Sequence, residues 1–248
     1  MLIDLFHYLT TPASWAHRRG GHLRESVLLR SRSRRCRTAW APHLGRARAL
    51  VAQACDGLAQ ARTCVVLGSG LLDDVPLDHL AARFAEVRLV DAIHPWPTRW
   101  AVRGRANVTL VTDDLTRPGA VDAHGGDATV DFVISANLLS QLPILPVGRA
   151  GESDDHLGGR IVRAHLDALS RLDARVCLVT DVEQREEDRE GRLTDRLDLL
   201  HGETLPPPDE TWTWELAPFG ETARHRRLVH RVQGYRDWHT ALARSKPA

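Results

Sequence analysis

Lysine is almost missing from this chain of 248 residues: Lys246 is the only one among 33 lysines and arginines. The basic residues are nearly balanced by 32 acids, which leaves a formal net charge of +1. So flat a balance argues against a protein whose whole surface grips a nucleic-acid backbone. Cysteine is also scarce. Cys36, Cys55, Cys64 and Cys177 form no CxxC pair, and Cys64 and Cys177 sit in apolar runs. They are expected to be buried free thiols in a reducing compartment, with no disulfide framework. No stretch approaches the roughly 20 apolar residues of a membrane span. The opening segment MLIDLFHYLTTPASW lacks a basic leader, and Asp4 interrupts its apolar run. It is not expected to act as a signal peptide, so a cytoplasmic protein is expected. The 13 histidines contain no HExxH or comparable spacing, and no metal site is expected. There are no internal repeats.

What is present is ordinary for a globular protein: 43% hydrophobic and 26% charged residues. The length suits one large α/β domain, alone or with a small appendage. Residues 1–62 read as helical. The segment 22–44 carries Leu23, Val27 and Leu28 at helical spacing and then a dense arginine face. Pro42 is expected to end or kink that helix. Residues 44–61 read as a second amphipathic helix, with Leu50, Ala54 and Leu58 on one stripe.

After residue 62 the pattern alternates. Strands are expected at 63–68, 87–93, 107–115, within 128–143, and at 174–183, with helices at 75–86 and 159–172. Such alternation predicts a parallel sheet covered on both faces. The polar, glycine-rich stretch 146–159 reads as a mobile loop over the carboxyl edge. Residues 201–210 read as a proline-stiffened connection. The runs 210–218 and 225–235 are joined only by FGETAR, too short for a helical crossover, so they must be antiparallel.

The most informative stretch is VVLGSGLLDDVPL at 65–77. Gly68 and Gly70 end a strand and let a ligand approach the backbone. They lie where open parallel sheets bind ligands. A dinucleotide fingerprint needs a third glycine at 73, and this chain has Asp73 there. A P-loop needs a lysine and a Ser or Thr after the glycines, and neither follows. Asp73 and Asp74 read as N-cap and first-turn residues of the next helix. They would repel a pyrophosphate from the place where phosphates bind. This disfavours NAD, FAD and ATP and leaves a ligand without phosphate.

At this point the chain resembles the class I S-adenosylmethionine-dependent methyltransferases. The glycine-rich turn of that family corresponds to Gly68, Ser69 and Gly70. The acidic residue after its second strand, which binds the ribose hydroxyls, corresponds to Asp91. The acidic residue that meets the adenine amino group corresponds to Asp113 or Asp114. The segment beside the transferred methyl corresponds to 135–143, with Asn137, Ser140 and Gln141. The family sheet ends in an antiparallel hairpin, as residues 210–235 do here. The chain is also similar to a bacterial group with a GSGLLDDVPL-type turn and an LLSQLP-type segment. The pattern departs from the family at Cys64, Val65 and Val66, where an acid is usual, and at Leu72, where a third glycine is common.

The resemblance implies a Rossmann-like α/β fold with a mostly parallel seven-stranded sheet, a terminal antiparallel hairpin and a helical N-terminal cap. Residues 1–62 would form the cap and 63–248 the methyltransferase-type domain. S-adenosylmethionine is the implied cofactor, with Gly68, Ser69, Gly70, Asp91, Asp113, Asp114 and Asn137 around it. The acceptor would be a small molecule or another unknown group, near Ser140, Gln141 and Glu183. Asn137 and Asp181 are the catalytic candidates.

Each of these residues also has a plainer reading. The glycines can make a tight turn, Asp91 can cap or turn the chain, and Asp113 and Asp114 can be solvated. Asn137, Ser140 and Gln141 can satisfy backbone groups at a strand end. Asp181 and Glu183 are expected to follow the fifth strand, as a base or a cation site, or as a helix cap. Arg30, Arg32, Arg34, Arg35 and Arg37 read as a solvated face or an ion-paired lid rather than a nucleic-acid surface. Trp212 and Trp214 share one side of a strand and read as core, and His225 and His230 as structural. A non-catalytic scaffold on the same fold and a nucleic-acid modifying enzyme are the competing functions.

Overall fold

Five short runs of branched apolar residues form the parallel heart of the sheet. In the computed structural model, which describes residues 8–151 and 156–245, they are β1 (Thr63–Leu67), β2 (Glu86–Asp91), β3 (Val108–Thr112), β4 (Val130–Ala136) and β5 (Arg175–Asp188). Then come β6 (Leu193–Asp198), β7 (Glu210–Ala217) and β8 (Arg226–Tyr235). The sheet runs β3-β2-β1-β4-β5-β8-β7, with β6 pairing β5 off this path. Strands β1 to β5 pair in parallel. The β5–β8, β7–β8 and β5–β6 pairs are antiparallel. The expected Rossmann-like fold with its terminal hairpin is therefore present. The reading of the first 15 residues rests largely on 1–7, which lie outside the described residues.

The helices are α1 (Trp15–Arg19), α2 (His22–Arg35), α3 (Arg37–Asp56), α4 (Leu77–Arg83), α5 (Trp96–Val102), α6 (Ala120–Gly125), α7 (Ile144–Ala150), α8 (Leu157–Arg171) and α9 (Trp238–Ser245). Every residue of β1 is buried, as a strand covered on both faces requires. Cys64 and Val66 point to one face with Leu50, Val51 and Ala54 of α3. Val65 and Leu67 point to the other, with Val162, Leu166 and Leu169 of α8. All four cysteines are free and buried.

Four sequence expectations need correction. Pro42 neither ends nor breaks its helix; the break falls at Cys36, and α3 runs through Pro42. Pro42 and Thr38 lie on the exposed side of α3, so water can serve the carbonyl that proline leaves unbonded. Asp73 and Asp74 cap no helix: α4 begins at Leu77, and both acids lie in the preceding turn. The first part of the expected 146–159 loop is helical in α7, and 152–155 lie outside the described residues. Asp181 and Glu183 lie within β5 rather than after it, because antiparallel pairing to β8 carries that strand on to Asp188.

Helix α3 lies directly on the β7–β8 ladder because Gly234 of β8 lacks a side chain. A Cβ there would run into Leu50 of α3 and come within 2.9 Å of the Trp212 ring. Gly234→Ala is expected to lower stability by about 1–3 kcal/mol through overpacking, read as a fall in thermal midpoint.

Among the described residues no helix is long and apolar enough to cross a membrane. Nor do they contain a group of three or more His, Cys, Asp or Glu able to hold a metal. Part of the arginine face is ion-paired: Glu221 takes Arg35 at 2.6 Å and Arg32 at 3.8 Å.

Candidate functional site

The glycine turn leaves β1 with Gly68 and Gly70 in the left-handed region, at φ 72 and φ 44. Gly68 N–H and Ser69 N–H both donate to Val90 O, at 2.9 and 3.2 Å, which ties the turn to the end of β2. A Cβ on Gly68 would sit 2.8 Å from Leu138 Cδ1, so the segment after β4 also closes on this turn. Leu72 and Asn137 take positive φ without being glycine, at 61 and 51. Two strained residues on one edge are a common mark of a ligand site.

Asp91 faces the turn directly. Its Oδ2 accepts the Gly70 N–H at 2.7 Å and its Oδ1 the Ile93 N–H at 3.1 Å. Burial pushes its carboxyl above the usual range, and the two N–H bonds offset part of this. Each oxygen keeps a lone pair for a further donor. Thr98 closes the turn from the α5 side, donating to Gly70 O at 2.6 Å. His94 bonds Val111 O at 3.0 Å, and burial holds its ring below the ordinary histidine value.

The two acids after β3 part company. Asp113 is held by Arg117 and by His124 Nε2 at 2.8 Å, and is bound into the base of α6. Burial raises its carboxyl, but these bonds bring it net below the usual range. Asp114 accepts from Thr116 and faces His22 Nε2 of α2 at 3.6 Å. The histidine contact, foremost, holds its carboxyl well down. Asp114, not Asp113, is thus the one that meets the N-terminal helices.

A second polar group lies where β4 and β5 end. The Asn137 amide is 2.6 Å from Asp74 Oδ2 and 3.2 Å from His43 Nε2. Trp212 Nε1–H donates to His43 Nδ1 at 3.0 Å, and Trp214 stacks on the His43 ring at 4.2 Å. Beside them Ser140 donates to Asp181 Oδ1, and His230 Nδ1 meets Asp181 Oδ2 at 2.6 Å. Ser140, Asp181 and His230 are all buried. Burial raises the Asp181 carboxyl, and its bonds to His230 and Ser140 outweigh that and set it below the usual range. Asp73 accepts from Ser33 of α2 at 2.6 Å, and Arg48 of α3 bonds its carbonyl.

Two expected residues stand apart from this group. Gln141 is exposed in the turn after Leu138. Glu183 is buried, but its carboxylate is taken by Arg185 and Arg196, with Arg231 at 3.7 Å. Sequence reasoning missed His43 and His94, and read His230, which meets Asp181, as structural only. One signal for His43 was available. It is the polar member of the buried α3 stripe Trp40, His43, Ala47, Leu50 and Ala54.

The site also leaves buried polar atoms with no partner among the described residues: Ser69 Oγ, Asn137 Oδ1, His94 Nδ1 and Trp214 Nε1. Native interiors rarely strand such atoms unless a ligand or water serves them. Ser69 and Asn137 follow β1 and β4, which are neighbours in the sheet, so two of the four flank one edge.

No family model matches the chain, and no curated protein matches it. Solved structures do share its path. The 1,6-didemethyltoxoflavin-N1-methyltransferase of Burkholderia thailandensis, solved with S-adenosylhomocysteine, aligns over 90% of this chain and 92% of its own at 16% identity and TM-score 0.45. DhpI, solved with S-adenosylmethionine, aligns over 84% of this chain and 96% of its own at 16% identity and TM-score 0.41. The CcbJ methyltransferase of Streptomyces caelestis aligns over 76% and 72% at 17% identity and TM-score 0.40. Each is a likeness in overall path and no more.

Proposed function

We propose that this chain is an S-adenosylmethionine-dependent methyltransferase. The observation that carries the reading is the Gly68–Ser69–Gly70 turn bonded to Asp91, with unpartnered Ser69 Oγ and Asn137 Oδ1 on the same sheet edge. The residues fit the cofactor without a phosphate group. The turn would take its main-chain approach, Asp91 its ribose hydroxyls and Asp114 its adenine amino group. Ser69 and Asn137 would serve its polar atoms. When bound, the cofactor supplies an electrophilic methyl on a sulfonium sulfur. The chain's task is then alignment and exclusion of water.

In this reading residues 1–62 cap the edge and 63–248 form the cofactor domain. The acceptor is a small molecule held near the Ser140–Asp181–His230 group, and the protein works in a bacterial cytoplasm. Asp181 positions Ser140 and His230. Gln141 and Glu183, standing outside the group, are not assigned to the acceptor. Isothermal titration with S-adenosylhomocysteine tests the reading: saturable 1:1 binding is expected. Folded protein that binds neither this nucleoside nor S-adenosylmethionine would leave a non-catalytic scaffold in its place.

A further inference from the structure

The side chains around His43 admit one consistent arrangement of protons. An indole nitrogen only donates, so the Trp212 contact requires a bare His43 Nδ1. Burial holds the His43 ring down at about 4, so it is neutral near pH 7. Its single proton therefore sits on Nε2. That N–H points at the Asn137 amide, 3.2 Å away, and the same amide atom lies 2.6 Å from Asp74 Oδ2. Were this atom the amide nitrogen, it would suit an ionised Asp74 but set N–H against N–H at His43. The two ends of an amide are alike in shape, and the hydrogen bonds decide which way round it sits. With the oxygen in that place, His43 Nε2–H has its acceptor. Asp74 must then donate, which only a carboxylic acid O–H can do.

We propose that Asp74 is held as the neutral acid, and that Asp74 O–H and His43 Nε2–H together lock the Asn137 amide with its N–H2 turned to the unpartnered side, where it binds a ligand carboxylate. An amide nitrogen in the place of the orphaned oxygen is a buried double donor that needs an acceptor from outside the protein. Burial, above all, pushes the Asp74 carboxyl up to about 6 even with the amide nitrogen turned toward it, a contact that lowers it. An amide oxygen in that place favours the acid and moves the carboxyl higher still. The charged groups facing it are Asp73 in the same turn and Arg48 of α3. On the other side of His43, Asp181 of β5 and His230 of β8 act on the His43 ring. Ionised Asp74 would demand the reversed amide and would repel an incoming carboxylate. Asn137 sits in the left-handed region, which asparagine tolerates better than other side chains of its size.

The identity of the carboxylate, that of the cofactor's amino-acid end, rests on the methyltransferase reading; the proton on Asp74 does not. Two measurements on the full chain separate them. In a ¹³C-carboxyl NMR titration, with Asp74→Asn identifying the signal, Asp74 is expected to titrate above about pH 6, since turning the amide oxygen to it removes the contact that lowers it. Titration in the ordinary carboxylate range would overturn the proposal. In calorimetry from about pH 5 to about pH 8, S-adenosylhomocysteine affinity is expected to fall above the Asp74 midpoint, approaching about tenfold per pH unit. 5′-Methylthioadenosine, which lacks the carboxylate, should show no such fall. Asp74→Asn, whose amide can donate as the acid does, should bind S-adenosylhomocysteine with the fall removed. An equal slope for both nucleosides, or an unchanged slope in Asp74→Asn, would also overturn it. If neither nucleoside binds at any pH, the methyltransferase reading and its carboxylate fall together, and the NMR titration alone decides the proton.

Discussion

Asp91→Ala is expected to weaken S-adenosylhomocysteine binding by about 30-fold to 100-fold. Hydrogen bonds to a charged group contribute about 1.5–3 kcal/mol each, and about 1.4 kcal/mol is a tenfold change in affinity. A carboxylate taking both ribose hydroxyls would exceed the stated loss if both bonds were fully effective. Its present bonds to Gly70 and Ile93 reduce the net effect. The alanine also releases Gly70 N–H, so the turn loses its tie to Ile93 as well. Asp113→Asn is the contrasting variant. Its carboxylate is spent on Arg117 and His124, so nucleoside affinity should hold. Calorimetry on both variants, with circular dichroism to confirm folding, checks the pair. Equal affinity in Asp91→Ala and wild type would remove Asp91 from the site.

His230→Ala is expected to cost about 3–5 kcal/mol of stability, because it strands a buried carboxylate. Asp181 has His230 on one oxygen and Ser140 on the other, and only Ser140 would remain. The sign of the pH dependence should change too. In the wild type the Asp181 carboxyl lies net below its ordinary value. Its contribution is present above the ordinary carboxylate range and is lost as pH falls through the lowered value. Without His230, burial dominates and the carboxyl rises. The variant should then lose stability as pH rises through that raised value. Urea unfolding at about pH 4 and about pH 7 reads both slopes. Matching slopes with a loss under about 1 kcal/mol would show the pair to be weakly coupled. A double variant with Asp181→Asn should recover part of the loss.

The parallel strands were legible because alternation and branched residues mark them directly. The FGETAR connection was equally clear, since six residues cannot cross a sheet. The glycine turn and Asp91 were legible as neighbours in topology, and the Gly70–Asp91 bond at 2.7 Å joins them. The roles of Asp73 and Asp74 were not. Beside a helix start they resemble caps, and only the fold brings Asn137 onto one and Ser33 onto the other. Strand β6 escaped notice because its six residues are all exposed and carry no core-facing stripe. Pro42 misled for a related reason: a proline signals a break, but an exposed one can be served by solvent. The His43–Trp212 contact joins residues 169 apart in sequence, and no local pattern encodes that distance.

The buried thiols give this molecule an internal record of its own opening. Only a thiolate reacts readily with alkylating reagents. Burial pushes the Cys55 thiol up to about 12 and raises Cys64 and Cys177 as well. Cys64 and Cys177 sit in β1 and β5, mid-sheet, and can be modified only when the sheet itself comes apart. Cys36 occupies the single-residue joint between α2 and α3, and its thiol is also raised by burial. Mass-resolved alkylation over time would therefore order two events, the lifting of the N-terminal helices and the loss of the sheet. It would do so without adding a single probe to the chain.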